Sequence, residues 1–318
     1  MRFAGMLGRR ALRCVGTLAV VVVLVCLAAS IAIRQFLTAV GSTSRPVVEI
    51  TLAGRQVAYW APDGAVPAQG YPVILFSHGF TGCGTQSVFL TEALAGAGYV
   101  VLAPDHRDAA CGAGHDGQLL AKLSTFDSQE PFHSPEAWSA STYRDRRVDV
   151  EAVLDAVLKS GSVQGVPINS SRIGLAGHSL GGYTVLGLAG AWPLWKDRRI
   201  KAVLALSPYC TPFLAKGDLP HLDVPVMYQG GTLDIGITPF VRGKGGAYEL
   251  TSAPKYFVEL GGAGHFAWTN LNKSYQSVIN RYALAFFDRY LKGAPAPLAG
   301  LLEKPWPAQV HELDYALR

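Results

Sequence analysis

A serine, an aspartate and a histidine, far apart in this 318-residue chain, each follow a glycine-rich turn, and together they could carry out nucleophilic acyl transfer. Ser179 lies in Gly177-His178-Ser179-Leu180-Gly181-Gly182, Asp234 ends Gly230-Gly231-Thr232-Leu233-Asp234, and His265 ends Gly261-Gly262-Ala263-Gly264-His265. A serine hydroxyl is a weak nucleophile until a neutral imidazole removes its proton. The imidazole needs a carboxylate to hold its tautomer and stabilise its charged form. A tetrahedral oxyanion also needs two donors, here expected from the backbone N–H groups of Leu180 and Phe80, the latter in His78-Gly79-Phe80. Side chains expected to line the substrate pocket are Phe80, His178 and Ile235, with Ile237 and Phe240 nearby in sequence.

These residues are useful only if strands deliver them to one edge of a sheet. Residues 172–177 read as a short buried strand and 183–191 as a tightly packed helix, which is the strand, serine, helix order that Gly-x-Ser-x-Gly requires. Continuous apolar strands are expected at 72–76, 99–103, 200–206, 224–228 and 255–260, after shorter ones at 47–52 and 56–60. Helices are expected at 87–97, 144–158 and 274–291, the second burying Val148, Val150, Val153, Leu154 and Val157. Strands alternating with helices predict an α/β fold, a mostly parallel central sheet covered on both faces. Asp234 and His265 follow the strands 224–228 and 255–260 and so fall at the carboxyl edge with Ser179. His221, Asp218 and Asp223 precede the strand at 224–228, at the opposite edge, while His311 lies in a Pro-rich tail and Asp197 pairs naturally with Arg198 and Arg199.

The stretch 109–142 is rich in Gly, Ser, His and aromatics, and could cover the cleft with Phe126, Phe132 and Trp138. His106, His115 and His133 lie near Asp105, Asp108 and Asp116, but their spacing reads as loop polarity. No His/Cys spacing matches a zinc site, so neither metal nor cofactor is expected.

Net charge is +5, but its placement matters more than its size. Six of the 28 basic residues lie in residues 1–46, which hold no acid, leaving 22 bases against 23 acids in the rest. The body is near neutral, which gives no case for nucleic-acid binding. Residues 15–33 form an uncharged apolar run, long enough for a membrane-spanning helix, preceded by Arg9, Arg10 and Arg13. The expected organisation is a basic cytoplasmic segment at 1–14, a transmembrane signal anchor at 15–33, a linker at 34–46 and an extracytoplasmic catalytic domain at 47–318. Cleavage near Ala28-Ala29-Ser30 would instead release a secreted protein. In an exported chain Cys83 and Cys111, which follow neighbouring strands, could form a disulfide.

His78-Gly79-Phe80, the serine hexapeptide, Gly231-Thr232-Leu233-Asp234 and Gly264-His265-Phe266 together resemble the α/β-hydrolase superfamily, over residues 47–291. Within it the chain is similar to the branch of platelet-activating-factor acetylhydrolases, dienelactone hydrolases and cutinase-like polyester hydrolases. Dienelactone hydrolases typically carry a cysteine nucleophile, so Ser179 counts against that activity. The resemblance implies a serine esterase acting on small-molecule or lipid-like esters, with phospholipid deacylation or polyester cleavage as variants. The rival from another class is a membrane-anchored binding module on an inactive hydrolase scaffold.

Overall fold

All seven residues of β3 (Tyr71–Ser77) are buried, and their alternation decides the architecture. Val73 and Leu75 join one apolar cluster while Ile74 and Phe76 join another, so the strand is covered on both faces. The computed structural model describes residues 47–110, 132, 134–252, 254–293, 299–305 and 309–317. They belong to the unit that begins at Thr43.

The other strands are β1 (Val48–Leu52), β2 (Arg55–Trp60), β4 (Val100–Pro104), β5 (Ser162–Val163), β6 (Val166–His178), β7 (Ile200–Leu206), β8 (Val226–Gly231), β9 (Lys255–Leu260) and β10 (Val310–Ala316). Their order across the sheet is β1-β2-β4-β3-β6-β7-β8-β9-β10, with β5 hairpinned onto β6. From β4 to β9 neighbouring strands are parallel, and β1, β2 and β10 pair antiparallel at the edges. β3 lies between β4 and β6, where successive connections leave in opposite directions. Such a switch point opens a crevice beyond the carboxyl ends of the strands. The segments after β3, β6, β7, β8 and β9 therefore leave the same edge of the sheet in lateral order.

Helix α1 (Val88–Gly96) buries Leu90 and Leu94 in the cluster that also receives Val278, Ile279, Tyr282 and Phe286 of the long C-terminal helix Gln276–Phe287. On the opposite face α2 (Arg144–Ser160) buries Val150, Val153, Leu154 and Val157. The expected burial of Val148 is corrected: it is 38% exposed, and Arg146 takes the buried stripe instead. Positions 146, 150, 153, 154 and 157 share one helical face, whereas 148 is turned about 200° from 146 at 3.6 residues per turn.

Two other expectations need revision. β6 begins six residues before the expected 172, because residues 163–166 form a tight hairpin in which Gln164 and Gly165 both have positive φ (50° and 78°). The Pro-rich tail contains β10, an edge strand antiparallel to β9. Among the described residues no helix is long and apolar enough to cross a membrane. The apolar run at 15–33 and Phe126 lie outside the described residues.

Candidate active site

β6 ends at His178, and helix α3 (Leu180–Leu186) starts two residues later, so Ser179 alone makes the turn. Its backbone has φ 55° and ψ −116°, a conformation that costs a residue with a side chain about 1–3 kcal/mol and persists only where neighbours impose it. They do so here. Ser179 N–H donates to the Leu206 carbonyl at 3.0 Å, and the Ser179 carbonyl accepts from Tyr209 N–H at 2.9 Å and Tyr183 N–H at 3.2 Å. The glycines are steric necessities: a β-carbon at Gly181 would lie 1.9 Å from the Ser77 carbonyl oxygen, and one at Gly177 2.3 Å from that of Gly181.

Asp234 and His265 reach Ser179 from β8 and β9. Ser179 Oγ lies 2.9 Å from His265 Nε2, and His265 Nδ1 lies 3.2 Å and 3.3 Å from the two carboxylate oxygens of Asp234. With the proton on Nδ1, that nitrogen donates to the carboxylate and Nε2 accepts from the serine hydroxyl. Burial is graded along the row: Asp234 is buried, whereas the His265 side chain is 28% exposed and Ser179 is half-buried. Asp234 is held in a tight turn, its N–H bonded to the Gly231 carbonyl at 3.0 Å and its carbonyl accepting from Thr238 N–H at 2.9 Å. His265 opens a helical turn anchored by Trp268, whose indole N–H donates to Gln229 Oε1 at 3.0 Å.

Leu180 occupies the first position of α3, where an N–H has no partner within its own helix. Phe80 follows Gly79 in the loop after β3, and a β-carbon at Gly79 would come within 3.5 Å of Ser179 Cβ. Both backbone segments expected to face an oxyanion thus lie against the serine. The Phe80 ring packs edge-on against Phe132 (5.4 Å) and Tyr143 (6.2 Å), in an aromatic group continued by Trp138 and Tyr209. Ile235, beside Asp234, is 80% exposed.

His178 does not line a pocket, which corrects that expectation. It is buried with both ring nitrogens occupied: Nε2–H donates to the His265 carbonyl at 2.9 Å, and Nδ1 accepts from Gln86 Nε2 at 3.1 Å. Gln86 Oε1 accepts in turn from Gly79 N–H at 2.9 Å. His178 therefore ties the histidine loop to the Phe80 loop. Burial, and then the neighbouring His265, hold its imidazole neutral with a pKa lowered to about 3.

The Phe80 loop is braced from below. Arg146, wholly buried, donates to the carbonyls of His78 (2.7 Å) and Gly79 (3.1 Å) and forms a two-pronged pair with Asp108 at 3.1 and 2.7 Å. Asp108 also accepts from Thr81 N–H at 3.1 Å. Burial alone would raise the Asp108 carboxyl, but Arg146 outweighs it and holds the group well below the usual carboxylate range. Beside this brace, Ser77 Oγ donates to His106 Nε2 at 2.8 Å, and His106 Nδ1–H donates to Asp149 at 3.1 Å. Burial, and then Arg146, push the pKa of both His78 and His106 far down, so both rings are neutral.

Cys83 is disulfide-bonded to a partner outside the described residues, and Cys111 also lies outside them. Among the described residues no group of three or more His, Cys, Asp or Glu is placed to hold a metal ion. The residues set aside earlier have local partners: His221 pairs with Asp218, Asp223 with Lys196 and Asp197 with Arg199, while His311 of β10 lies 3.7 Å from Glu259 of β9. Sequence reading missed Gln86, Arg146 and Ser207. Ser207 follows β7 at the same carboxyl edge, so the positional rule that selected Asp234 would have found it.

Residues 74–316 match the alpha/beta hydrolase family. Cutinase 2 of Thermobifida cellulosilytica is 27% identical over 224 residues, covering 70% of this chain and 69% of the cutinase. Cutinase cut1 of Thermobifida fusca is also 27% identical over 224 residues, but the match covers only 56% of its length. A platelet-activating factor acetylhydrolase of Cavia porcellus is 26% identical over 175 residues, covering 49% of this chain and 38% of the relative. With the family match spanning most of the chain and a strand order that brings serine, aspartate and histidine loops to one sheet edge, this protein belongs to the α/β-hydrolase family.

Proposed function

We propose that this chain is a serine hydrolase of carboxylic esters, with Ser179 as nucleophile, His265 as general base and acid, and Asp234 as the carboxylate that orients and charge-stabilises His265. The observation that carries this reading is the 2.9 Å contact between Ser179 Oγ and His265 Nε2, with Nδ1 of the same ring facing Asp234. In acylation the Ser179 proton passes to Nε2 as Oγ attacks the ester carbon. The oxyanion is met by the N–H groups of Leu180 and Phe80, and the imidazolium returns its proton to the departing alcohol. In deacylation a water loses its proton to the same nitrogen and attacks the acyl carbon, and the imidazolium then returns that proton to Ser179 Oγ as the bond to it breaks and the acid leaves. The Asp234 carboxylate stays ionised throughout.

The cutinase relatives and the exposed apolar residues beside the triad, Leu233, Ile235 and Phe266, support an ester that is apolar around its scissile bond. Polyester cleavage is the first variant of this reading, and phospholipid deacylation, favoured by the acetylhydrolase relative, the second. The disulfide at Cys83 supports an oxidising compartment, in keeping with residues 15–33 acting as an export signal and anchor. The test is a panel of nitrophenyl esters of rising chain length, with a polyester film and a phospholipid alongside. Hydrolysis that disappears in Ser179→Ala is expected, and hydrolysis unaffected by that change would overturn the assignment.

A further inference from the structure

We propose that Ser207 is a positioning residue of the triad, its hydroxyl lying between Asp234 and His265 and coupling the carboxylate to the imidazole. This inference rests on the reading of Ser179, His265 and Asp234 given above. The Ser207 hydroxyl donates to Asp234 Oδ2, and its oxygen lies 2.9 Å from His265 Nδ1. The imidazole nitrogen is thus nearer this hydroxyl than either carboxylate oxygen, at 3.2 and 3.3 Å. The Nδ1–H is shared between the two acceptors.

Backbone conformation and burial argue that the placement is imposed. Ser207 is fully buried, so water does not compete for its hydroxyl. Its φ is 42°, in the left-handed region that residues with side chains rarely occupy and that persists where surrounding structure dictates it. Its N–H donates to the Gln229 carbonyl at 2.7 Å, and the Gln229 side chain accepts from Trp268 in the turn that carries His265. The preceding carbonyl, Leu206, accepts from Ser179 N–H. One short segment therefore touches the serine turn directly, the acid through its hydroxyl, and the histidine turn through Gln229.

The chemical consequence is specific. By donating to Oδ2, Ser207 fixes the carboxylate plane so that Oδ1 faces Nδ1. By accepting part of Nδ1–H, it turns the ring so that Nε2 points at Ser179 Oγ. During attack the serine proton moves to Nε2, Nδ1 keeps its own proton, and the Ser207 hydroxyl keeps its own. Its dipole shares with Asp234 the stabilisation of the imidazolium.

The test compares Ser207→Ala with Ser207→Gly in the full chain, reading kcat, KM and thermal midpoint with a nitrophenyl ester. Both variants remove the hydroxyl, but glycine also relieves the left-handed backbone, which separates coupling from folding. The expected result is a kcat lower by about 10- to 100-fold in both, with KM changed less than about threefold, and a midpoint in Ser207→Gly at or near wild type. A second measurement repeats Ser207→Ala in an Asp234→Asn background, where its effect should shrink to less than about threefold because the two groups act as a unit. Wild-type kcat in Ser207→Gly, or full additivity with Asp234→Asn, would overturn the proposal while Ser179→Ala is inactive. Full activity in Ser179→Ala would instead overturn the reading beneath it.

Discussion

The described residues contain two serine–histidine–aspartate rows of similar geometry. Ser179 meets His265 at 2.9 Å and His265 meets Asp234 at 3.2 Å; Ser77 meets His106 at 2.8 Å and His106 meets Asp149 at 3.1 Å. What separates them is everything around the row. Ser179 stands alone on a left-handed turn at a helix start, with a partly exposed histidine beside it. Ser77 is the last residue of a regular strand, and its His106 side chain has no solvent exposure. A hydroxyl, an imidazole and a carboxylate in line are thus compatible with a purely structural role. Chemistry further requires access for an ester, donors aimed at the developing oxyanion, and a histidine free to gain and lose a proton. Burial and Arg146 keep His106 neutral, which suits a fixed bridge between β3 and α2.

The largest expected contrast is between the two serines. Ser179→Ala should lower kcat by about 10⁴-fold or more, as removal of a triad nucleophile does, with the thermal midpoint unchanged. Ser77→Ala should leave kcat within a few-fold but lose about 1–3 kcal/mol of stability, because the buried His106 Nε2 loses its donor. Chemical denaturation alongside ester turnover reads both, and equal kinetic losses would abolish the distinction.

The acids should divide in the same way. Asp234→Asn is expected to reduce kcat by about 10³- to 10⁴-fold by disturbing the imidazole tautomer. Asp149→Asn should leave turnover nearly intact while weakening the attachment of α2, since it also breaks the pair with Arg55 at 3.0 Å. A steady-state assay on both variants decides it.

Arg146→Met removes the brace under the Phe80 loop and leaves Asp108 buried without its cation. A loss of about 3–5 kcal/mol is expected from that uncompensated charge, measured by urea unfolding. Unchanged stability would mean that the pair contributes little.

The last expected effect is a pH dependence. His78, His106 and His178 have folded pKa values below the usual imidazole value, so each contributes stability that is full above about pH 6.5 and is lost as the pH falls below it. The slope is at most about 1.4 kcal/mol per pH unit for each ring, and for His178 it ends near its folded pKa of about 3. Asp108 acts at lower pH: its depressed carboxyl stabilises the fold above the ordinary carboxylate value and ceases to do so as the pH falls toward its folded value. The thermal midpoint should therefore drop between about pH 7 and pH 5, and a flat profile would show that these rings are not held neutral.

Much of the fold and the order of Ser179, Asp234 and His265 were legible in the residue pattern, and the remainder had identifiable causes. Strands β7 and β9 fall where apolar runs placed them, because a strand buried on both faces has little freedom of register. Ser179, Asp234 and His265 could be ordered because glycine turns and strand ends are local signals. Arg146 was invisible because a charged residue on an apolar helical stripe reads as solvent-facing until its carboxylate partner, 38 positions away, is known. His178 was misassigned because its neighbour in sequence is the proposed nucleophile, while its contacts, Gln86 and the His265 carbonyl, come from two other loops. The second row was missed for the same reason: Ser77, His106 and Asp149 meet only through the pairing of β3 with β4 and the packing of α2.

The most direct measurement is to treat the folded protein with a fluorophosphonate and map the adduct by peptide mass spectrometry. A single adduct on Ser179, absent from Ser179→Ala and never found on Ser77, is the predicted outcome. An adduct on Ser77 or another residue, or no adduct on folded protein, would contradict the assignment of the nucleophile.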